Sequence, residues 1–312
     1  MASVPSSPPA KSRFFSRHLK LRGVSEGLVK WFCFLCALIS IVTSVGIISV
    51  LISQSIPFFQ AVHPVDFFTG TTWSPTPEPG KFGVLPLIAG TVIITVGAGL
   101  FAVPLGLLSA IYLSEYAHTR VRNFLKPTLE LLAGIPTVVY GYFGLFFVTP
   151  ILKHFVPSIE SSNAASGAIV VGIMILPLVS SLCEDAISAV PKSLREGAYG
   201  LGATRMEVIT RIVLPSGLSG IMASFILALS RALGETMAVT LAAGANPVLT
   251  FNPAKAIETM TSYIVATSKG DADVGSVRYN SIFAVGITLF VFTMVMNLLA
   301  SKLVRKFRQV YS

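Results

Sequence analysis

Charge is what this 312-residue sequence has least of. Only 12% of its residues are Asp, Glu, Lys or Arg and 53% are hydrophobic, whereas a soluble domain carries about 25% charged residues. The few charges are also unevenly placed. Runs 31–65, 82–114, 131–152, 161–183, 212–230 and 279–301 contain none of the four. At 1.5 Å per residue each run is long enough to cross a hydrocarbon core of about 30 Å. These absences exclude a soluble globule, and the unbroken length of the runs excludes the short alternating strands of a membrane barrel. Cysteine is scarce too, with three residues in all, so there is no disulfide framework. Cys33-x-x-Cys36 falls inside the first apolar run with no polar partners nearby, and reads as two small apolar residues on one helix face. No G-x-x-x-x-G-K-[ST] is present, so nothing in the chain reads as a phosphate-binding loop for ATP.

The reading is an all-α integral membrane protein with six transmembrane helices. Seventeen of the 23 Lys and Arg lie in the amino-terminal segment, in segments 115–130 and 184–211, or after the last run, and five (Lys81, Lys153, Lys255, Lys269, Arg278) lie in the alternate segments. By the positive-inside rule both termini are expected in the cytoplasm. The net charge of +9 is thereby a topology signal, and no nucleic-acid partner is expected. Residues 1–30 read as a cytoplasmic basic segment, with a Ser/Pro-rich opening expected to be disordered and a stretch RFFSRHLKLR suited to an anionic membrane surface. Residues 31–312 read as the transmembrane domain. Its first helix is uncleaved and ends near Ile56 and Pro57.

The outer loop 57–83 holds His63 and Asp66, to which no role is assigned. In the second helix Ala98, Ala102, Gly106 and Ala110 recur at four-residue spacing, a small-residue ridge that admits a close helix neighbour, and Pro104 is expected to kink it. A cytoplasmic loop SEYAHTRVRNFLK leads to the third helix. Glu130 is placed at the start of that helix, where a carboxylate suits the positive dipole end. Gly134, Pro136, Gly141 and Gly144 make it irregular, a candidate wall of a pathway. The fourth helix ends at Cys183, Glu184 and Asp185. In the outer segment 245–279, Asn252 and Pro253 are expected to start a short interfacial helix with Ile257, Thr261, Ile264 and Val265 on one face.

Residues 190–235 organise the rest. A polar element, 190–215, is read as helix, turn and helix. Pro191 opens the first helix, Gly200 and Gly202 break it, and Thr204-x-x-Glu207 forms a capping box for the second, with Pro215 ending the polar part. The apolar helix that follows carries Arg231 about 15–20 Å deep, with Glu235 four residues on and expected to pair with it on one face. A charge at that depth costs at least ~2.5–3.5 kcal/mol and so faces a partner or a wet cavity. The planar fork of an arginine suits phosphate oxygens and stays charged at any relevant pH.

Glu196-Gly197-Ala198, then Gly202, then Ile212-x-Leu214-Pro215 resembles the EAA motif of ABC importer permeases, departing from it at Gly197, where alanine is usual. With RALGETMAV at 231–239, the chain is similar to the PstC-type permeases of phosphate importers, and GETMAV favours that type over the sister PstA-type. The resemblance implies the six-helix ABC importer permease fold and a non-catalytic subunit that imports inorganic phosphate across the inner (plasma) membrane. It implies an ATPase coupling element containing Arg195, Glu196, Ala198, Gly202, Arg205, Leu214 and Pro215, and a substrate pathway containing Arg231 and Glu235. The implied partners are a PstA-type permease, a dimeric PstB-type ATPase, a PstS-type phosphate-binding protein and membrane lipid. No cofactor belongs to the chain itself, since ATP and Mg are bound by the ATPase. Another oxyanion, sulfate or molybdate, or a gradient-driven ion transporter, are the alternative readings.

Overall fold

A computed structural model of the chain describes residues 12–76, 80–270 and 272–307. The Ser/Pro-rich opening up to Lys11 lies outside the described residues. The chain divides into two compact units, residues 1–53 and 54–312. The described residues of the first, from Ser12 on, belong to one long helix, α1 (Ser12–Ala61). Among the described residues six helices are long and apolar enough to cross a membrane, Gly27–Ala61, Leu85–Tyr116, Thr137–Phe155, Ala164–Ser188, Arg205–Leu233 and Val277–Lys302, one for each charge-free run. The first does not stop at Pro57. A proline removes a single donor, and Val62 N–H donates to the Phe58 carbonyl at 2.8 Å, so the helix resumes beyond it.

Within residues 54–312 the centre is α3 (Leu85–Ile111) packed along α7 (Ala164–Ser188). Ala98, Ala102 and Ala110 are fully buried, and a Cβ on Gly106 would lie 2.6 Å from a Val179 methyl. In lipid, where apolar burial gives helices little reason to associate, this close van der Waals fit is what holds them. One end of the bundle is closed by an aromatic cluster. It takes Phe58 from α1, Phe67 from α2 (Pro64–Thr69), Trp73 and Phe82 from a two-stranded antiparallel pair, β1 (Trp73–Ser74) with β2 (Lys81–Phe82), and Tyr263. Trp73 and Tyr263 meet edge to face with centroids 4.8 Å apart, a geometry worth about 0.5–1.5 kcal/mol beyond the area buried. His63 is the N-cap of α2, its ring accepting from Val65 N–H, a local structural role.

Three segments differ from what the sequence suggests. SEYAHTRVRNFLK is not a loop. It forms a π turn (Tyr112–Tyr116) that finishes α3, then α4 (Thr119–Ala133), a helix without a single buried residue. Glu130 therefore sits in the last turn of α4, at the negative dipole end, and is solvated there. The third span starts after a break at Gly134 and Pro136 and runs as α5 (Thr137–Phe143), a π turn (Gly144–Val148) and α6 (Thr149–Phe155). The irregularity expected from its glycines is real, and Gly141 and Gly144 let residues 238–242 approach within about a side chain's width. Lastly, Asn252 and Pro253 do not start a helix. Asn252 Oδ1 accepts from Ala254 N–H in a local turn, Ile257 N–H donates to the Ala243 carbonyl, and the helix α12 (Met260–Lys269) begins only after Thr259. Its first turn, Met260 to Tyr263, is buried, so it packs inward and does not lie along the interface.

Pro215 closes the polar part without interrupting the helix. Helix α9 (Arg205–Val208), a π turn (Ile209–Val213) and α10 (Leu214–Leu233) form one continuous span. The same spacing recurs in the third span, where the π turn at Gly144–Val148 is followed by Thr149-Pro150. A proline cannot donate and its ring crowds the carbonyl four residues back. A wide turn just before it absorbs both problems, so the chain passes the proline and remains helical. The last span is α13 (Val277–Phe307).

Candidate functional site

Between α7 and α9 the polar element folds as the sequence suggests. Pro191 is the N-cap of α8 (Lys192–Gly200). Gly202 has φ +85°, Gly202 N–H donates to the Tyr199 carbonyl and Ala203 N–H to the Ala198 carbonyl. This double closure ends a helix through one left-handed residue, which glycine adopts without strain. Nothing lies within 4 Å of where its Cβ would be, so its requirement is conformational and not one of space. Thr204 and Glu207 complete the capping box in both directions. The result is a stiff hairpin of two short helices.

Its two faces differ. Glu196, Lys192, Tyr199, Leu201 and Met206 are exposed, Leu201 to 91% and Met206 to 62%. Ala198 is buried, Leu214 is half-buried against the core, and Pro215 is exposed. Arg195 points inward, its guanidinium donating to the Ile187 carbonyl at 2.7 Å and pairing with Glu115 at 3.2 Å. Arg205 reaches back as well. It donates to the Glu115 carbonyl and covers the Tyr116 ring with its guanidinium 4.6 Å from the centroid. Of the residues expected to form a docking element, then, Glu196, Gly202 and Pro215 face outward, while Arg195 and Ala198 are internal. The apolar tip formed by Leu201 and Met206 was not anticipated. Its signal in the sequence is a leucine standing between two glycines in an otherwise polar hairpin.

Beside the hairpin, Glu184 of α7 is fully buried and carries two cations, Arg122 and Lys126 of α4, the second at 2.6 Å. Ser188 donates to the same carboxylate at 2.9 Å, and Lys126 also pairs with Asp185 at 2.7 Å. Burial opposes the charge on Lys126, but its hydrogen bonds to Asp185 and Glu184 outweigh that and raise its pKa. The acidic end of the fourth helix is therefore an anchor that ties α4 to α7. An isolated buried carboxylate is costly, and two bonded cations offset the cost.

Deeper in the bundle the expected Arg231 and Glu235 pair is not formed. Helix α10 ends at Leu233 with Gly234 as its cap, so the four-residue rule for one helix face no longer applies at Glu235. Glu235 is buried, its Oε1 accepts from Ala238 N–H at 3.2 Å in the first turn of α11 (Met237–Ala242), and its carbonyl accepts from the Thr261 hydroxyl at 2.8 Å. The carboxylate serves a helix start, where the dipole favours it. Arg231 stays exposed, with no carboxylate in salt-bridge range among the described residues. Tyr140, whose hydroxyl donates to the Leu132 carbonyl across the break before α5, lies within its electrostatic reach. A second buried acid, Glu258, precedes α12. Among the described residues it has no charged partner within salt-bridge range, and burial pushes its carboxyl up to about 7. Among the described residues no group of three or more His, Cys, Asp or Glu could hold a metal ion.

Comparison with known proteins gives this geometry a context. Residues 102–309 match the family described as binding-protein-dependent transport system inner membrane component. The chain is 38% identical to the probable ABC transporter permease protein YqgH of Bacillus subtilis, over 85% of this chain and 86% of that one. It is 40% identical to the phosphate transport system permease protein PstC of Mesorhizobium japonicum, over 73% and 74%. Among solved structures, a bacterial alginate ABC transporter in complex with a periplasmic protein superposes with a TM-score of 0.60 at 18% identity, covering 96% of this chain and 99% of that one. The MetNI methionine ABC transporter superposes with a TM-score of 0.54 at 16% identity, over 73% and 95%. At such identities these two likenesses speak to the fold.

Proposed function

The chain belongs to the family of binding-protein-dependent transport system inner membrane components, and from that premise we propose that it is one permease subunit of an ATP-driven importer of inorganic phosphate. The observation that carries the reading is the stiff hairpin at residues 192–208, closed at its turn by Gly202, with an uncovered apolar tip at Leu201 and Met206. A doubly capped hairpin with exposed apolar residues beside an exposed carboxylate, Glu196, is a surface built to be held by another protein. The partner is a dimeric cytoplasmic ATPase, and the hairpin end faces the cytoplasm, in keeping with the distribution of Lys and Arg. The chain supplies no nucleotide site of its own. Hydrolysis belongs to the ATPase, half of the pathway to a second, PstA-type permease, and capture of substrate to a phosphate-binding protein outside.

Phosphate as cargo is supported by the names of relatives at 30–40% identity and by Arg231. An exposed guanidinium in the last turn of α10, with no carboxylate in salt-bridge range among the described residues, is free to take an oxyanion through two parallel hydrogen bonds. Glu235 accepts from Ala238 N–H at the start of α11 and is not the counter-ion of Arg231 in this structure. As the pathway opens toward the outside, an arriving anion replaces water around Arg231. As it opens inward, the anion is exchanged for water again, so the arginine acts as a relay and not a trap.

The test is purification of the complex in mild detergent followed by reconstitution. Labelled phosphate uptake that requires ATP, the co-purifying ATPase and the binding protein is the expected result. Uptake driven by an ion gradient without ATP would overturn it, and uptake of sulfate or molybdate in preference to phosphate would reassign the cargo.

A further inference from the structure

Arg195 and Arg205 stand on the two helices of the hairpin, yet both reach the same residue at the end of α3. Glu115 lies in the π turn Tyr112–Tyr116. Its carboxylate pairs with Arg195 of α8 at 3.2 Å, with side-chain exposures of only 7% and 17%, and its carbonyl accepts from Arg205 of α9. Arg195 Nη2, the nitrogen in that pair, also donates to the carbonyl of Ile187, in the last turn of α7. The last carbonyls of a helix have no partner within it. A cation placed there satisfies one and suits the negative dipole end. The hairpin thus caps the ends of α3 and α7, the two helices that pack along each other through the centre of the bundle, and one residue receives both of its arginines.

We propose that Glu115 is a positioning residue of the transport cycle: it rivets the hairpin to α3, so that a displacement of the hairpin moves the α3 and α7 pair instead of only swinging the hairpin. This deepens the reading of the hairpin as an ATPase dock and rests on it. The two arginines are then not docking residues. They are the inner side of the coupling, while Glu196, Leu201 and Met206 are the outer side. The ion pair is more than a surface contact, since both side chains are mostly shielded from water and screening by salt is weak there. Loss of the carboxylate leaves Arg195 with the Ile187 carbonyl alone, and leaves the Arg205 contact, made to the backbone, intact. The hairpin then stays folded and docked but is tied to the end of α3 through Arg205 alone.

The experiment uses the complete reconstituted importer with its ATPase, second permease and binding protein. Three variants are compared with wild type: Glu115→Gln, Arg195→Met and the double variant. Complex yield, ATP hydrolysis and phosphate taken up per ATP hydrolysed are read on the same preparations. The expected result for Glu115→Gln is a yield within two-fold of wild type, continued ATP hydrolysis and a several-fold lower ratio of phosphate to ATP. The double variant should be no worse than Arg195→Met alone, the signature of two residues acting through one contact. A wild-type ratio in Glu115→Gln, additive losses in the double variant, or loss of the complex in Glu115→Gln would each overturn the proposal. Failure of the functional reading itself looks different: wild type then shows no ATP-dependent phosphate uptake at all.

Discussion

The hairpin end of the bundle and the break after α10 handle charge in opposite ways. At the hairpin end every buried carboxylate is bonded to cations from another element: Glu184 to Arg122 and Lys126, Glu115 to Arg195. At the break, Glu235 turns to a backbone N–H and Arg231 is left exposed. Both regions draw on the same few charges of a charge-poor chain. Paired ions join elements, because separating them strands a charge away from water. An unpaired cation joins nothing, and its cost of placement is tolerable only where water or an anion reaches it. In the proposed cycle the first arrangement transmits force, and the second meets the solute.

The comparison breaks most visibly at Glu184. Glu184→Ala leaves Arg122 and Lys126, both partly exposed, without their shared partner, and is expected to cost about 1–3 kcal/mol. The check is yield in the membrane together with the thermal midpoint in detergent. An unchanged midpoint would show that α4 is held to α7 by other means.

Next in size is Arg231→Gln, which should lower phosphate uptake at least ten-fold at normal yield, since the charge and the fork are lost and no ion pair is broken. Arg231→Lys should restore part of it, a point charge being unable to bond two oxygens side by side. Glu235→Gln keeps an acceptor for Ala238 N–H and should preserve yield. Full uptake by Arg231→Gln would make the exposed arginine a feature of packing.

Glu258 sharpens the comparison in a third way, as a buried acid with neither a cation nor a water-filled cavity assigned to it. Its carboxyl is raised from 4.5 to about 7, so the folded state holds a proton that the unfolded chain has released. The stability tied to that proton is complete below about 4.5 and is lost as pH rises through about 7, on the order of 3 kcal/mol in all. The thermal midpoint should therefore fall between pH 5 and pH 8, and Glu258→Gln should flatten that slope. A wild-type slope in the variant would assign the proton elsewhere.

The smallest effect belongs to Gly202→Ala. With φ +85° and open space around the position, the substitution strains the backbone by about 1 kcal/mol and displaces nothing. A modest loss of ATPase affinity with unchanged membrane yield is expected from co-purification. Loss of the chain from the membrane would instead mean that the turn is needed for folding.

The hairpin was legible because each of its stops is local. A left-handed glycine and a capping box are written in adjacent residues and need no other part of the chain. Arg231 was legible as a charge in an apolar run, and its isolation was not. The expected pair assumed one uninterrupted helix, and Gly234, a residue common inside membrane helices, ends it. The role of Glu130 was misread because α4 carries enough charge on one face to resemble a loop, although its Arg122 and Lys126 are spaced to meet Glu184. Likewise the wide turns that precede Pro150 and Pro215 are invisible in composition.

Six spans and a rigid polar hairpin between the fourth and fifth were determined by the residues alone, since hydropathy over twenty positions and caps over four are local sums. Which charges pair, which carbonyls the arginines close, and which cation is left open were decided only by the tertiary structure. Those outcomes depend on helix ends brought together from positions about 60 to 90 residues apart, such as Glu115 with Arg195 and Arg205. An ion pair is a matter of a few ångströms in space, and no periodicity along the chain encodes that distance.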